Sequence, residues 1–140
     1  MKATVKWIDG LSFIGRTETH HSVPMDTTIE SGGMNSGAMP MELLLLALGG
    51  CMGMELVSIL EKKRAKLDDF WVELEAERTD LYPRTFSTVR MRYVFVGKEI
   101  DRERVRKAVE ISAEKYCSVG AMLRGSVTIE HDIKILERGA

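Results

Sequence analysis

The chain contains no glutamine and a single asparagine, Asn35. Scarce thermolabile amides beside abundant Glu, Lys and Arg point to a hot-living source, although nine methionines pull the other way. Cysteine is sparse, with only Cys51 and Cys117. Two cysteines do not make a disulfide framework, which leaves inert, metal-bound or redox-active thiols. An excess of one charge is also absent: 20 Lys and Arg face 21 Asp and Glu, for a net charge of −1. That balance excludes binding that depends on a strong field, as nucleic acid or an anionic membrane requires. The N-terminal MKATVKWIDG lacks the apolar core of a secretory signal. The longest charge-free apolar stretch, Leu43 to Met54, is shorter than a membrane span. A soluble, cytoplasmic protein is therefore expected.

What the chain does have is one domain's worth of ordinary globular sequence. It has 140 residues, 44% hydrophobic and 29% charged, enough to bury about two-thirds of its unfolded surface. Disorder is excluded by that composition. Residues 1–26 read as short strands, with Ala3, Val5 and Trp7 alternating and Asp9-Gly10 marking a turn. A glycine-rich loop follows at 31–37. Pro40 suits the first turn of a helix, and the central helix is expected over 40–64. Leu43 to Leu48 is apolar on every face, and a helix apolar all round is buried all round. Gly49, Gly50 and Gly53 weaken it by about 1 kcal/mol each relative to Ala, so another backbone or a ligand is expected to approach closely there.

A hairpin is expected over 69–97, with Phe70, Val72, Leu74 and Ala76 opposed by Val89, Met91, Tyr93 and Phe95, and Tyr82-Pro83 at its bend. Asp101 is a natural N-cap for a second helix over 101–117, whose inner face is Val105, Ala108, Val109 and Ser112. A final strand is expected over 127–136.

Few residues can carry chemistry. Cys51 lies mid-helix among small residues, in LGGCMGM, where a reagent can reach its sulfur. Cys117 follows the second helix and precedes Ser118 and Gly120. An ordinary thiol is only a few per cent ionised at neutral pH, so a reactive cysteine needs a nearby cation or helix dipole. Two buried structural thiols are the alternative reading. Glu55 shares the helical face of Cys51, whereas Glu42, nine residues back, points to the opposite face. Arg16, His20, His21 and Asp26 form the densest polar set in the N-terminal strands. His20, His21, His131, Cys51 and Cys117 show no metal-ligand spacing, so no metal is expected.

Three stretches together resemble the OsmC/Ohr family of thiol-dependent peroxidases, closest to its OsmC-like branch. They are the glycine loop with Pro40-Met41-Glu42-Leu43-Leu44, the helix segment Leu48-Gly49-Gly50-Cys51, and Glu114-Lys115-Tyr116-Cys117-Ser118-Val119. The likeness covers essentially the whole chain. It implies an α+β fold in which a long central buried helix is wrapped by antiparallel sheets, and an intertwined homodimer with active sites at the subunit interface. It also implies that Cys51 attacks an organic hydroperoxide to become a sulfenic acid, and that Cys117 condenses with it to a disulfide. An external dithiol, thiol or lipoyl-type, would then reduce that disulfide, with no cofactor needed. In the family an acidic residue directly follows the proline and holds an arginine against the reactive sulfur. Here that position is Met41, and Glu42 is the displaced carboxylate, about 100° further round the helix. Arg16 is the candidate arginine. The alternative function is a small-molecule binding or redox-sensing protein on the same fold, without turnover.

Overall fold

The computed structural model describes residues 1–138. These form two compact units, one ending at Leu44 and one beginning at Leu45. The first contains three antiparallel strands in the order β1 (Ala3–Asp9), β2 (Ser12–Thr17) and β3 (Ser22–Met25). Gly10 supplies the left-handed turn between β1 and β2, with φ of 53°, a conformation in which a side chain is strained. After β3 the chain makes a 3-10 turn, Ile29–Ser31, and Asp26 organises the loop around it. Helix α1 (Pro40–Lys62) starts at the proline, whose missing N–H is unneeded in a first turn. The carboxylate of Glu42 accepts the Met39 N–H at 2.9 Å and so satisfies a free donor at that end.

In the second unit the remainder of α1 is followed by β4 (Asp69–Arg78) and β5 (Phe86–Gly97), an antiparallel hairpin. Helix α2 (Arg102–Ile111) begins at Asp101, whose side chain accepts the N–H groups of Glu103 and Arg104. The helix expected to run to 117 is α-helical only to Ile111. It widens into a π-helical turn, Ser112–Tyr116, and a short helix α3 (Ser118–Leu123) follows Cys117. Such π turns are frequent at functional sites. Strand β6 (Thr128–Glu137) then joins the sheet.

One pairing corrects the sequence reading. The sheets expected to be antiparallel are so except for β5 and β6, which run parallel. The reason is the connection: α2, the π turn and α3 carry the chain back to the start of the sheet, as a parallel pair demands.

The core of this unit lies between the inward sheet face and one face of α1. Val89, Met91, Tyr93 and Phe95 of β5 and Leu48, Met52, Leu56 and Leu60 of α1 are all essentially inaccessible. The outward face is charged: Arg90 pairs with Glu77 at 2.9 Å and Glu130 at 3.4 Å, and Arg92 with Asp132 at 3.1 Å. Within this chain α1 is buried on one face only, since Leu46 and Met54 are 64% and 76% exposed. By length and composition α1 could also cross a bilayer, a test that core helices of soluble proteins pass as well. Of its three glycines, Gly49 faces a close neighbour: a Cβ there would lie 2.8 Å from Leu74 Cδ1, while Gly50 faces open space. At Gly49 the close approach is thus made by a β4 side chain.

Candidate functional site

Cys117 stands at the junction where the π turn ends and α3 begins. Its N–H donates to the Ser112 carbonyl at 2.8 Å, closing the wide turn. Its sulfur caps α3, accepting the Gly120 N–H at 3.2 Å. A Cβ on residue 120 would lie 3.2 Å from that sulfur, so a larger residue there would press the thiol aside by a few tenths of an ångström. The sequence around the cysteine therefore fixes both its backbone and its side chain.

Both cysteines are free thiols, Cys117 buried and Cys51 half-buried. The structure brings them together. Burial pushes the Cys117 thiol up to about 11, the Gly120 N–H opposes this, and the neighbouring Cys51 sulfur raises it further. A thiol so placed is about one part in ten thousand thiolate at pH 7, which makes Cys117 a poor first nucleophile.

Beside Cys117 lies a cavity of about 250 Å³. Leu48 and Met52 wall it from α1, one on either side of Cys51 in sequence, and Val127 and Ile129 close the apolar lining. Its polar groups are Glu114, Arg124 and His131. The Arg124 guanidinium donates to the Ala113 carbonyl at 3.1 Å, which ties α3 to the π turn. A mostly apolar cavity with a few polar groups suits a small organic molecule.

His131 occupies an inward position on β6, between Ile129 and Ile133. Its Nδ1 is 2.7 Å from the hydroxyl of the buried Tyr93, and the two rings are nearly parallel, 12° apart. Burial holds the Tyr93 phenol well above its ordinary range, the charge of Cys117 adds to this, and burial pushes the His131 imidazole down. The pair is neutral at physiological pH.

Of the remaining predicted residues, Arg16, His20, His21, Asp26 and Glu42 lie in the first unit and Glu55 in the second. Arg16 is exposed on β2, between Thr4 and Ser22 of the flanking strands. Glu42 is exposed and engaged at the start of α1 as described. Asp26 is buried, and its carboxylate accepts four bonds: Ser36 Oγ at 2.6 Å and the N–H groups of Thr27, Met34 and Ser36. Those donors, the Ser36 hydroxyl foremost, hold its carboxyl down at about 2. It is the tie that shapes the glycine loop. Glu55 is half-buried on α1. His20 sits in the β2–β3 turn with φ of 68°, and the Nδ1 of His21 lies 3.0 Å from the Thr19 hydroxyl.

Sequence reasoning missed Tyr93, Arg124 and the pairing of His131 with Tyr93. One signal was present: His131 interrupts the apolar stripe Ile129, Ile133, Ile135, where a lone polar side chain requires a partner. Which residue supplies that partner depends on the parallel register of β5 and β6.

Residues 33–132 match a family model described as OsmC-like protein. Protein YhfA of Escherichia coli K12 is 39% identical over 136 residues, covering 97% of this chain and 98% of its own length. A hypothetical protein from Aquifex aeolicus VF5 has a crystal structure that superposes with a TM-score of 0.86 at 28% identity, covering 99% of this chain and 97% of its own. A Legionella pneumophila structure described as an organic hydroperoxide resistance protein OsmC shares the fold, with a TM-score of 0.73 at 15% identity and 96% and 97% coverage.

Proposed function

This chain belongs to the OsmC-like family, and from that premise we propose that it is a thiol-dependent peroxidase that reduces organic hydroperoxides. Support comes from the family's inclusion of proteins described as organic hydroperoxide resistance proteins and from the site itself. The observation that carries the reading is the neighbouring pair of free cysteines, with one thiol buried and kept protonated beside an apolar cavity.

The chemistry divides between the two sulfurs. The Cys51 thiolate attacks the terminal peroxide oxygen, its electron pair forms the S–O bond, and the O–O pair leaves on the alkoxide, which takes a proton to become the alcohol. Cys51 is then a sulfenic acid. The Cys117 sulfur forms the S–S bond, the S–O bond breaks, and the departing hydroxyl leaves as water with the Cys117 proton. An external dithiol returns both cysteines to thiols. A Cys117 kept protonated until that step supports attack by Cys51 and resolution by Cys117.

Arg16 and Glu42 are proposed as the thiolate-supporting pair by family resemblance, and a homodimer is proposed as the working form. The exposed apolar side chains of α1, Leu44, Leu46 and Met54, and of β1, Val5 and Trp7, support a second copy as their cover. The cytoplasm, whose thiol systems keep cysteines reduced, is the compartment this cycle needs.

A second reading is favoured by one observation. Glu42 spends its carboxylate on the Met39 N–H, and Met41 stands where an acid would follow Pro40. A site so equipped binds or senses a hydroperoxide without efficient turnover.

Free-thiol titration decides between these. The reduced protein is titrated before and after one equivalent of cumene hydroperoxide and, separately, hydrogen peroxide. Rapid loss of both thiols with the organic peroxide, abolished in Cys51→Ser, is the expected result. Turnover with a dithiol present separates a peroxidase from a sensor. Survival of both thiols refutes the peroxidase.

A further inference from the structure

The Tyr93–His131 pair is not accounted for by the two sulfurs, and it faces the same cavity as one of them. Tyr93 is fully buried on β5, and its hydroxyl has two neighbours, His131 Nδ1 at 2.7 Å and the Met91 thioether at 3.4 Å. An imidazole nitrogen is a far better acceptor than a thioether sulfur, so the single phenolic proton goes to Nδ1. A neutral imidazole that accepts at Nδ1 carries its own proton on Nε2. His131 lines the Cys117 cavity, and with Nδ1 committed to Tyr93 the donor it has left is Nε2–H. The walls Leu48, Met52, Val127 and Ile129 donate nothing, and the other donor side chain on the cavity, Arg124, already gives a guanidinium N–H to the Ala113 carbonyl. An N–H donor oriented by a buried partner beside apolar walls is an arrangement that stabilises negative charge developing on an oxygen.

We infer that His131, held by Tyr93, donates its Nε2–H to the oxygen that becomes the alkoxide when Cys51 attacks an organic hydroperoxide. The inference rests on the peroxidase reading of this site. As the Cys51 electron pair forms the S–O bond and the O–O bond breaks, charge collects on the oxygen attached to carbon. The hydrogen bond from Nε2 strengthens with that charge, and a solvent proton completes the alcohol. Sulfur is oxidised by two electrons and the peroxide is reduced by two. His131 is thus a catalytic residue, and Tyr93 a positioning residue that acts through it.

Two substitutions separate this role from a structural one. An Asn amide reaches the place of Nδ1 and an Gln amide the place of Nε2. His131→Asn therefore keeps a partner for Tyr93 but has no cavity donor, whereas His131→Gln keeps the donor and abandons Tyr93. In single-turnover thiol loss with cumene hydroperoxide, His131→Asn is expected to slow the full-length reduced protein at least tenfold, and His131→Gln less than threefold. The reverse order, equal losses, or no loss in either variant overturns the inference. Imidazole nitrogen-15 shifts of the wild-type protein provide a readout free of any variant. Protonated Nε2 with bare Nδ1 is expected, and the opposite tautomer overturns the inference. If wild-type thiols survive the hydroperoxide, the peroxidase reading fails and this inference with it. If the wild type reacts and His131→Asn matches it, only the role of His131 is lost.

Discussion

The ionisation of Cys117 offers a quantitative test of the site. Burial, the largest cause, and the neighbouring Cys51 sulfur raise its thiol from an ordinary value of 9.0 to about 11. Two pKa units correspond to about a hundredfold less thiolate at neutral pH than an unperturbed thiol would have. Iodoacetamide reacts with the thiolate, so alkylation of Cys117 is expected to be at least that much slower than alkylation of free cysteine at pH 7. Steric cover also slows the reaction, but it does so equally at every pH. The discriminating quantity is thus the shape of the profile. Under pseudo-first-order conditions, with the Cys117 peptide quantified by mass spectrometry, the rate should climb about tenfold per pH unit from 7 to 10 without levelling. Near-UV circular dichroism verifies the fold over this range. In Cys51→Ser the profile should shift down but stay above that of an ordinary thiol, because burial remains. A plateau at or below pH 9 in the reduced wild type refutes the assignment of Cys117 as the thiol held protonated.

Other consequences follow from the same geometry. The Asp26 carboxyl is held at about 2 against an ordinary 3.8, so its stabilisation is complete above the ordinary value and is lost as pH falls from about 4 to 2. Asp26→Asn should lower the urea midpoint at neutral pH and flatten its acid dependence in that window. A Cβ on residue 33 would collide with the Thr27 carbonyl and lie 2.6 Å from Asp26 Oδ1. Gly33→Ala should therefore cost about 1–3 kcal/mol in a denaturation titration. Leu56 is wholly buried, and Leu56→Ala should cost about 2–5 kcal/mol with the denaturant slope unchanged. Sedimentation should find a dimer, and Met54→Glu on the exposed face of α1 should shift it toward monomer if that face is the one covered.

Much of the local structure was legible because it is set by neighbours in sequence. Pro40 opens α1, Asp101 caps α2, and the alternation from Val89 to Phe95 faces inward, each by rules that act within a few residues. Cys51 and Cys117 were singled out by their small-residue surroundings and by family likeness. The π turn before Cys117 was not legible: Ser112 to Tyr116 is an acceptable α-helical sequence, and its widening is tied to the bond from Cys117 N–H to the Ser112 carbonyl. Asp26 appeared as one member of a polar set, but its four donors come from residues up to ten positions away, gathered only when the loop folds back.

The sequence by itself determined the composition of each element, the family likeness, and the two thiols that stand as candidates for chemistry. Those depend on residue type and short spacing, which the chain carries openly. Tertiary structure alone decided that β6 runs parallel to β5, that His131 thereby meets Tyr93, and that burial keeps the Cys117 thiol protonated. Each of these depends on what lies across a gap between elements distant in sequence. Desolvation and register are properties of the packed molecule, and no local pattern encodes them.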